Sequence, residues 1–132
     1  MKYDLKSLHQ QIVENFFVSV ELFDPDYAHR DTLLPVGVIT GRDNYLAAGR
    51  ATREAFPDMA SRALEVICEG DTTVARWENT GTHLGEYNGI PATGNKVTYM
   101  GMTMYHWKDG RVIEGWTLFE YTHRHRQMGD DR

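Results

Sequence analysis

The sequence predicts an α+β domain in which helices come first and an antiparallel sheet follows. Two apolar stripes with helical spacing lie before Pro57, whereas later residues alternate between apolar and polar side chains. A curved sheet can wrap around helices and leave a cavity at its mouth. The order of elements therefore predicts one compact domain, residues 1–132, with an internal pocket.

The first stripe predicts a long amphipathic helix from Leu5 to Val20, because its apolar residues recur every three or four positions. The sequence Asp24-Pro25-Asp26 interrupts this pattern, and Asp24 can cap a helix that begins at a proline. The residues from Tyr27 to Arg30 are therefore predicted to form a short helical turn.

A second long helix is expected after Thr40, whose hydroxyl and the Asp43 carboxylate form a variant of the capping box. This helix should end before Pro57, because the residue before a proline disfavours helical backbone. A short strand is possible between the two helices, near Val36 to Ile39.

Four strands are predicted after the helices. The run ending at Cys68 and the run from Thr72 to Thr82 form one hairpin. The runs 97–107 and 111–122 form another, joined by Lys108-Asp109-Gly110, a sequence typical of a type I turn with a glycine bulge. The glycine-rich segment 83–94 separates the hairpins and is long enough to act as a flap.

Composition excludes several classes of function. The formal net charge of -5 argues against sequence-independent nucleic-acid binding, which needs a basic surface. No apolar run is long enough for a membrane span, and no apolar signal stretch follows the first residues, so a cytoplasmic protein is expected. Cys68 is the single cysteine, which rules out an internal disulfide. A small hydrophobic or aromatic molecule is the expected partner.

One face of the second hairpin is the predicted pocket wall, because strand alternation places Trp116 and the carboxylates of Glu114 and Glu120 on it. A carboxylate among large apolar side chains loses solvation, so its pKa rises and it can exchange protons near neutral pH. Glu120 is the first candidate for chemistry. Glu114 lies nearer the hairpin end, where a structural role is the better interpretation. Further residues are expected to line the cavity: Tyr27, Trp77, Asn79, Tyr87, Met102, Met104, Trp116 and Leu118.

Each of these residues also has a simpler explanation. Glu120 could pair with Arg76 or Arg124, and core packing alone could explain the apolar stripe. His83 could polarise a carbonyl or pass a proton, or it could tie down the flap through its ring nitrogens. His29 could be a pocket group beside Tyr27, or it could face solvent. His123 and His125 suggest a solvated tail rather than a metal site.

Several segments together resemble the SnoaL-like polyketide cyclases. They are Ala55-Phe56-Pro57-Asp58-Met59, Glu69 to Trp77, Gly81 to Gly94, Asp109 to Trp116 and Gln127-Met128-Gly129. The family belongs to the ketosteroid-isomerase-like fold. The resemblance thus implies a cone-shaped α+β barrel, with three helices packed in a curved antiparallel or mixed sheet around a deep hydrophobic pocket.

The resemblance also implies an activity. Members close a ring of a polyketide by intramolecular aldol condensation, without metal or organic cofactor, and an acidic residue four places after the tryptophan is the general base. That position holds Glu120, where aspartate is usual. Related members perform hydroxylation-type or epoxide-opening chemistry. We therefore expect a cofactor-free cyclase or isomerase in which Glu120 moves a proton and His83 or His29 assists.

Two further expectations accompany this hypothesis. A protein of the same fold could instead bind a hydrophobic ligand, or act as a scaffold, without catalysis. A homodimer is expected through the outer sheet face, which is predicted to carry Tyr99, Thr103, Tyr105 and Trp107.

Overall fold

The order of helices and strands along the chain differs from the predicted order. The structure is a computed structural model that describes residues 2–31 and 37–129. Two short 3-10 turns, Phe16–Val18 and Val20–Leu22, follow the first helix. The helices and strands of the described part are α1 (Leu5–Glu14), β1 (Phe23–Asp31), β2 (Val38–Thr40), α2 (Arg42–Ala55), β3 (Ala60–Glu69), β4 (Thr72–Thr82), β5 (Lys96–Lys108), β6 (Arg111–Phe119) and α3 (Tyr121–Gln127).

The six strands form one sheet in the order β2-β1-β6-β5-β4-β3. Neighbouring strands are antiparallel except β1 and β6, which run parallel. The sheet is mixed and curved, and the helices pack on one of its faces. The predicted α+β class is therefore confirmed, with α3 at the C-terminal end rather than among the first elements.

Helix α1 begins at a side-chain cap and is shorter than predicted. The Asp4 carboxylate accepts a hydrogen bond from the main-chain N–H of Ser7, which satisfies one of the free donors of the first turn. The predicted continuation to Val20 is wrong, because Asn15 leaves the helical region with a φ of -141°. The following turns place the Phe16 ring against Phe23, at 5.9 Å between ring centroids.

The predicted helical turn from Tyr27 to Arg30 is wrong, because these residues lie in β1. Strand β1 pairs with β2 on one side and β6 on the other, so both rows of its backbone groups are used. The register shifts between Phe23 and Ala28, around Pro25, which has no N–H to donate. The short strand predicted near Val36 is found as β2, although Val36 itself lies outside the described residues.

Helix α2 begins and ends close to its predicted limits, but its cap is different. Its N-cap is Gly41, with a φ of 94° that favours glycine, so the predicted Thr40–Asp43 capping box does not form. The Thr40 carbonyl instead accepts a hydrogen bond from Asn44 Nδ2 at 2.8 Å. The helix ends at Ala55, before Pro57, as predicted.

Both predicted hairpins are present. The turn between β5 and β6 has two residues, Asp109 and Gly110, with φ of 50° and 78°. Positive φ at both positions indicates a type I′ turn rather than the predicted type I turn with a bulge. After β6 the chain forms α3 instead of the expected strand and solvated tail, and this helix buries Arg124 and His125.

The two faces of the β5–β6 hairpin are the reverse of those predicted. Tyr99, Thr103, Tyr105 and Trp107, which were expected on an outer dimer face, are buried on the helix side. Met102, expected in the pocket, lies on the outer face and is 49% exposed. Both faces of β5 carry large apolar residues, so strand alternation separates the faces but does not tell which one the helices cover.

The helix side holds two apolar clusters. One lies under α1 and joins Leu5, Ile12, Phe23, Tyr105 and Trp107. The other lies where α2 ends and α3 packs, and its buried members are Ala55, Phe56, Trp77, Val97, Tyr99 and Met128. None of the described helices is long and apolar enough to cross a membrane.

We predict that Gly101→Ala lowers the free energy of unfolding by about 1–3 kcal/mol, the usual cost of overpacking a core. A Cβ at Gly101 would lie 2.5 Å from the Trp77 ring and 2.6 Å from Phe119 Cβ. Urea denaturation measures the loss. Gly81→Ala is the matched control, because its nearest neighbour, Phe56 Cβ, would be 3.3 Å away. If Gly101→Ala and Gly81→Ala lowered the free energy of unfolding equally, overpacking against Trp77 would not explain the loss.

Candidate functional site

Strand β1 places three polar side chains on the helix side of the sheet. Tyr27, His29 and Asp31 occupy alternate positions, so they share one face, and all three are buried. The Tyr27 hydroxyl lies 2.7 Å from His29 Nδ1, within hydrogen-bond distance. The His29 ring also stacks on Tyr45 of α2, with 4.3 Å between centroids. A histidine and two tyrosines thus meet inside the protein.

The protonation state of His29 follows from its burial. Burial disfavours the charged ring and lowers the pKa of His29 from 6.5 to about 4. The imidazole is therefore neutral at neutral pH, with one N–H and one acceptor nitrogen. Burial also raises the pKa of the Tyr27 hydroxyl, so that group keeps its proton. The pair is therefore uncharged at neutral pH and can donate or accept hydrogen bonds.

Tyr45 also interacts with Tyr105 of β5. The hydroxyl end of Tyr45 is buried, and burial raises the pKa of this tyrosine to about 12. The nearby charge of Asp31 acts in the same direction. Asp31 therefore lies close enough to the tyrosine hydroxyls to influence them.

Hydroxyl groups extend this polar region across the sheet. Asp31 pairs in register with Thr117 of β6, and Thr117 pairs with Thr103 of β5. The two threonine hydroxyls are 2.9 Å apart, and Trp77 Nε1 donates to the Thr103 hydroxyl at 2.9 Å. We call the whole set the inner polar cluster: Tyr27, His29, Asp31, Tyr45, Thr103, Tyr105 and Thr117.

A glycine makes room for the cluster. Gly115 of β6 lies beside His29 in the parallel register. A Cβ at Gly115 would collide with the Tyr27 hydroxyl and would lie 2.8 Å from the Tyr105 ring. The Tyr27–His29 contact therefore depends on a residue without a side chain at this position.

Glu120 lies outside this cluster. It is exposed, directly follows β6, and its Oε2 accepts a hydrogen bond from the main-chain N–H of Met100 at 3.1 Å. The expected burial of Glu120 in a pocket is therefore wrong, because Phe119 takes the inward position. Neither Arg76 nor Arg124 forms an ion pair with it in the described part of the chain. Its catalytic role stays a prediction.

The residues expected to line one cavity lie on two faces. Met102, Met104, Trp116 and Leu118 are on the outer face, where a shallow depression of about 290 Å³ is lined by Arg76, Met100, Gly101, Met102, Leu118, Phe119 and Glu120. Trp77 is on the inner face. Asn79 Nδ2 donates to the Tyr99 hydroxyl at 3.2 Å.

Glu114 has the structural role that was preferred for it. It accepts hydrogen bonds from His106 at 2.8 Å and from Arg30 at 3.2 Å, and the Arg30 guanidinium also lies over the Trp116 ring. These partly exposed groups form an ion-pair cluster on the outer face.

His83 ties down the flap in the structure. Its ring is fully buried, its Nδ1 lies 3.0 Å from the Thr93 hydroxyl, and it stacks on Phe56 at 5.4 Å. Its main-chain groups pair with Asn95 and Gly94 across the base of the loop. These contacts fit the structural alternative for His83. Tyr87, at the tip of the same loop, contacts Phe56 at 5.7 Å.

Sequence reasoning missed Asp31, Tyr45, Thr103 and Thr117. The available signal was the alternation of Tyr27, His29 and Asp31, which is the period of a strand. Pro25 concealed it, because a proline was taken to begin a helical turn. In the described residues, no group of three or more His, Cys, Asp or Glu is placed to hold a metal ion.

Comparison with known proteins agrees with this architecture. IdmH from Streptomyces antibioticus, a proposed polyketide cyclase, is 25% identical, with a TM-score of 0.83 over 97% of this chain and 100% of that chain. AclR from Streptomyces galilaeus, a proposed hydroxylase, is 22% identical, with a TM-score of 0.82 over 94% of each chain. A SnoaL-like protein from Jannaschia sp. is 20% identical, with a TM-score of 0.79 over 88% of this chain and 85% of that chain.

No curated protein matches the sequence. The family model of the SnoaL-like polyketide cyclases matches residues 10–128, which include all the described strands, α2, α3 and the second half of α1. The chain therefore belongs to the SnoaL-like polyketide cyclase family.

Proposed function

We propose that this protein is a cofactor-free cyclase or isomerase that acts on a hydrophobic, oxygenated, polyketide-like intermediate by general acid–base catalysis. Family membership supports the reaction class. The observation that carries the assignment of residues is the neutral His29, hydrogen-bonded to Tyr27 and two positions from the buried Asp31. Acid–base catalysis needs such groups within hydrogen-bond reach of each other and of the substrate.

In the proposed aldol reaction, Asp31 accepts the acidic proton next to a carbonyl. The enolate carbon then attacks a second carbonyl of the folded substrate, and a C–C bond forms. A hydrogen bond from the Tyr27–His29 pair stabilises the resulting alkoxide, which then takes the proton that Asp31 accepted. The Thr103 and Thr117 hydroxyls lie on the same face and can orient substrate oxygens, and the Trp77 N–H holds Thr103 in place.

An epoxide-opening reaction could use the same groups. Asp31 would deprotonate a substrate hydroxyl, whose oxygen attacks an epoxide carbon as the epoxide C–O bond breaks. The Tyr27–His29 pair would donate a hydrogen bond to the leaving oxygen, which would then take the proton that Asp31 accepted. Both routes need one base and one hydrogen-bond donor, which the inner polar cluster offers within a single face.

Glu120 is the competing candidate for the base, because it occupies the family position four residues after Trp116. Its exposure and its hydrogen bond to Met100 favour Asp31. The two carboxylates lie in different settings, so matched variants can separate them.

We predict that Asp31→Asn reduces turnover by roughly 10²- to 10⁴-fold, the usual contribution of a general base. Glu120→Gln should change turnover only a few-fold. The assay uses polyketide β-ketoesters and epoxy-alcohols, with product mass and ring analysis, and circular dichroism confirms that both variants are folded.

Loss of turnover in Glu120→Gln alone would assign the base to Glu120 and refute the role of Asp31. Ligand binding by wild type without any turnover would favour the alternative of a non-catalytic binding protein. A wild-type product would identify the ring closure as aldol or epoxide-opening.

The acid–base role requires His29 to stay neutral, and this has a consequence for stability. The pKa of His29 is about 4 in the folded protein and 6.5 as the reference value, so the unfolded chain binds more protons between these pH values. The free energy of unfolding should fall as pH drops from 6.5 to 4, by up to about 3 kcal/mol for this residue.

Urea denaturation of wild type and His29→Gln at several pH values tests this prediction. The variant should lose part of the pH dependence, whereas the rest, including that of the similarly buried His9, remains. His123→Gln is the matched control, because His123 is exposed on α3. If the free energy of unfolding depended on pH equally in His29→Gln and wild type, the assigned pKa of His29 would be contradicted.

We also propose that the protein forms a homodimer, through the outer sheet face rather than the predicted one. This face exposes Met100, Met102, Leu118 and Ile67, and Leu118 is 59% exposed. A contiguous apolar surface of this kind is typical of an interaction site.

We predict that Met102→Glu converts a dimer into a monomer, because it places a charge on the proposed interface. Sedimentation velocity at micromolar concentration measures the change. Val18→Glu is the control, since Val18 is exposed between α1 and β1, away from the sheet. A wild-type protein that is monomeric under these conditions would refute the dimer.

A further inference from the structure

Helix α3 buries an arginine among four aromatic rings. Arg124 is only 4% exposed to solvent. Its Cζ lies between 4.8 and 5.4 Å from each ring centroid. The rings come from three parts of the fold: the flap, the inner face of the sheet and α3 itself. We call them the aromatic cage: Tyr87, Tyr99, Phe119 and Tyr121.

Arg124 has no acceptor for its charged group in the described part of the chain. None of the side-chain hydrogen bonds or ion pairs among these residues involves it, and its Nε is fully buried without a partner. Ring faces attract a cation, but they accept few of its five N–H donors. A buried donor without an acceptor is costly, and a buried charge more so. The Arg124 guanidinium therefore has donors with which an incoming anion could pair.

A carboxylate is the anion that best fits this position. A guanidinium presents two parallel N–H groups to a carboxylate, and such charge-assisted pairs are among the stronger hydrogen bonds. The cage walls are apolar and flat, which favours a carboxylate attached to an aromatic or otherwise planar ring system.

The cage lies on the same inner face as the inner polar cluster. Tyr99 and Phe119 contact Trp77, with 6.0 and 6.4 Å between ring centroids, and Trp77 donates to Thr103 of the cluster. Tyr99 and Thr103 are four residues apart along β5, a distance of about 13 Å in an extended strand. The Trp77 ring lies over Gly101, between these two residues, so a ligand of two or three fused rings would have to lie along Trp77 to reach both regions.

The flap supplies a wall that an incoming ligand can displace. Tyr87 is only half-buried and pairs with Ile90 around a tight turn. Asn88 and Gly89 in this turn have φ of 50° and 80°. His83 bonds to Thr93 at the base of the flap, and Tyr87 and Ile90 pack against the apolar cluster that contains Phe56.

We propose that Arg124 binds a carboxylate of the substrate, so that the protein acts on an acidic planar intermediate with its carboxylate in the aromatic cage. The proposal rests on the proposed function, because the carboxylate is taken to belong to the molecule that reaches the inner polar cluster. Arg124 is a binding residue in this scheme, and the acid–base groups are separate from it.

Isothermal titration with two matched probes tests the proposal. Wild type should bind β-naphthoate at least about tenfold more tightly than the neutral β-naphthamide, which corresponds to one charge-assisted pair. Arg124→Met should abolish this preference. Arg126→Met is the matched control, because Arg126 is exposed on the same helix, and it should keep the preference.

Arg124→Met should remain folded, since methionine fills the cage without a charge to desolvate. If Arg124→Met does not fold, a spectroscopic measurement on the wild-type protein tests the proposal instead. The Arg124 Nε–H signal in its nuclear magnetic resonance spectrum should shift with β-naphthoate and not with β-naphthamide. Equal affinities for the probes, no binding of either at millimolar concentration, an unchanged preference in Arg124→Met, or an unmoved Nε–H signal would overturn the proposal. These readouts involve no turnover, so a failure here is distinguishable from a failure of the Asp31 mechanism.

Discussion

The parallel pairing of β1 with β6 is the constraint on which the rest of the structure depends. It brings a strand from the first quarter of the chain beside one from the last, and every other strand pairing is antiparallel. The register sets His29 beside Gly115 and Asp31 beside Thr117. Without it, the three polar side chains of β1 would not meet the hydroxyls of β5 and β6. The inner polar cluster is thus a product of long-range pairing.

Burial gives the polar residues of the interior their chemical character. His29 is neutral because desolvation disfavours its charged form, and the tyrosines keep their protons for the same reason. Arg124 is the exception, since an arginine stays charged in proteins, and here aromatic ring faces surround it. An interior with Asp31 beside a neutral histidine and tyrosines at one region, and a fixed cation at another, can orient a polar ligand in one direction.

The fold class and most elements could be predicted from the sequence because they depend on local pattern. The period of α2 and its end before Pro57, both hairpins and the family motifs were correctly identified. The errors occurred where a local signal was overridden. Pro25 suggested a helical turn, but β2 and β6 supply partners that make β1 a strand. The last segment leaves the sheet after Phe119 and forms α3, although β5 continues to Lys96.

The sequence by itself determined which side chains share a face, because the periods of strand and helix are fixed by backbone geometry. Met102 pairs with Leu118, and Met104 with Trp116, as alternation required. Only the tertiary structure decided which face is inside. Both faces of β5 are apolar, so burial depends on where the helices pack, and that is set by contacts between residues far apart in the chain. Because the helices cover the face that carries Tyr27, His29 and Asp31, these residues replace Glu120 as the candidate site.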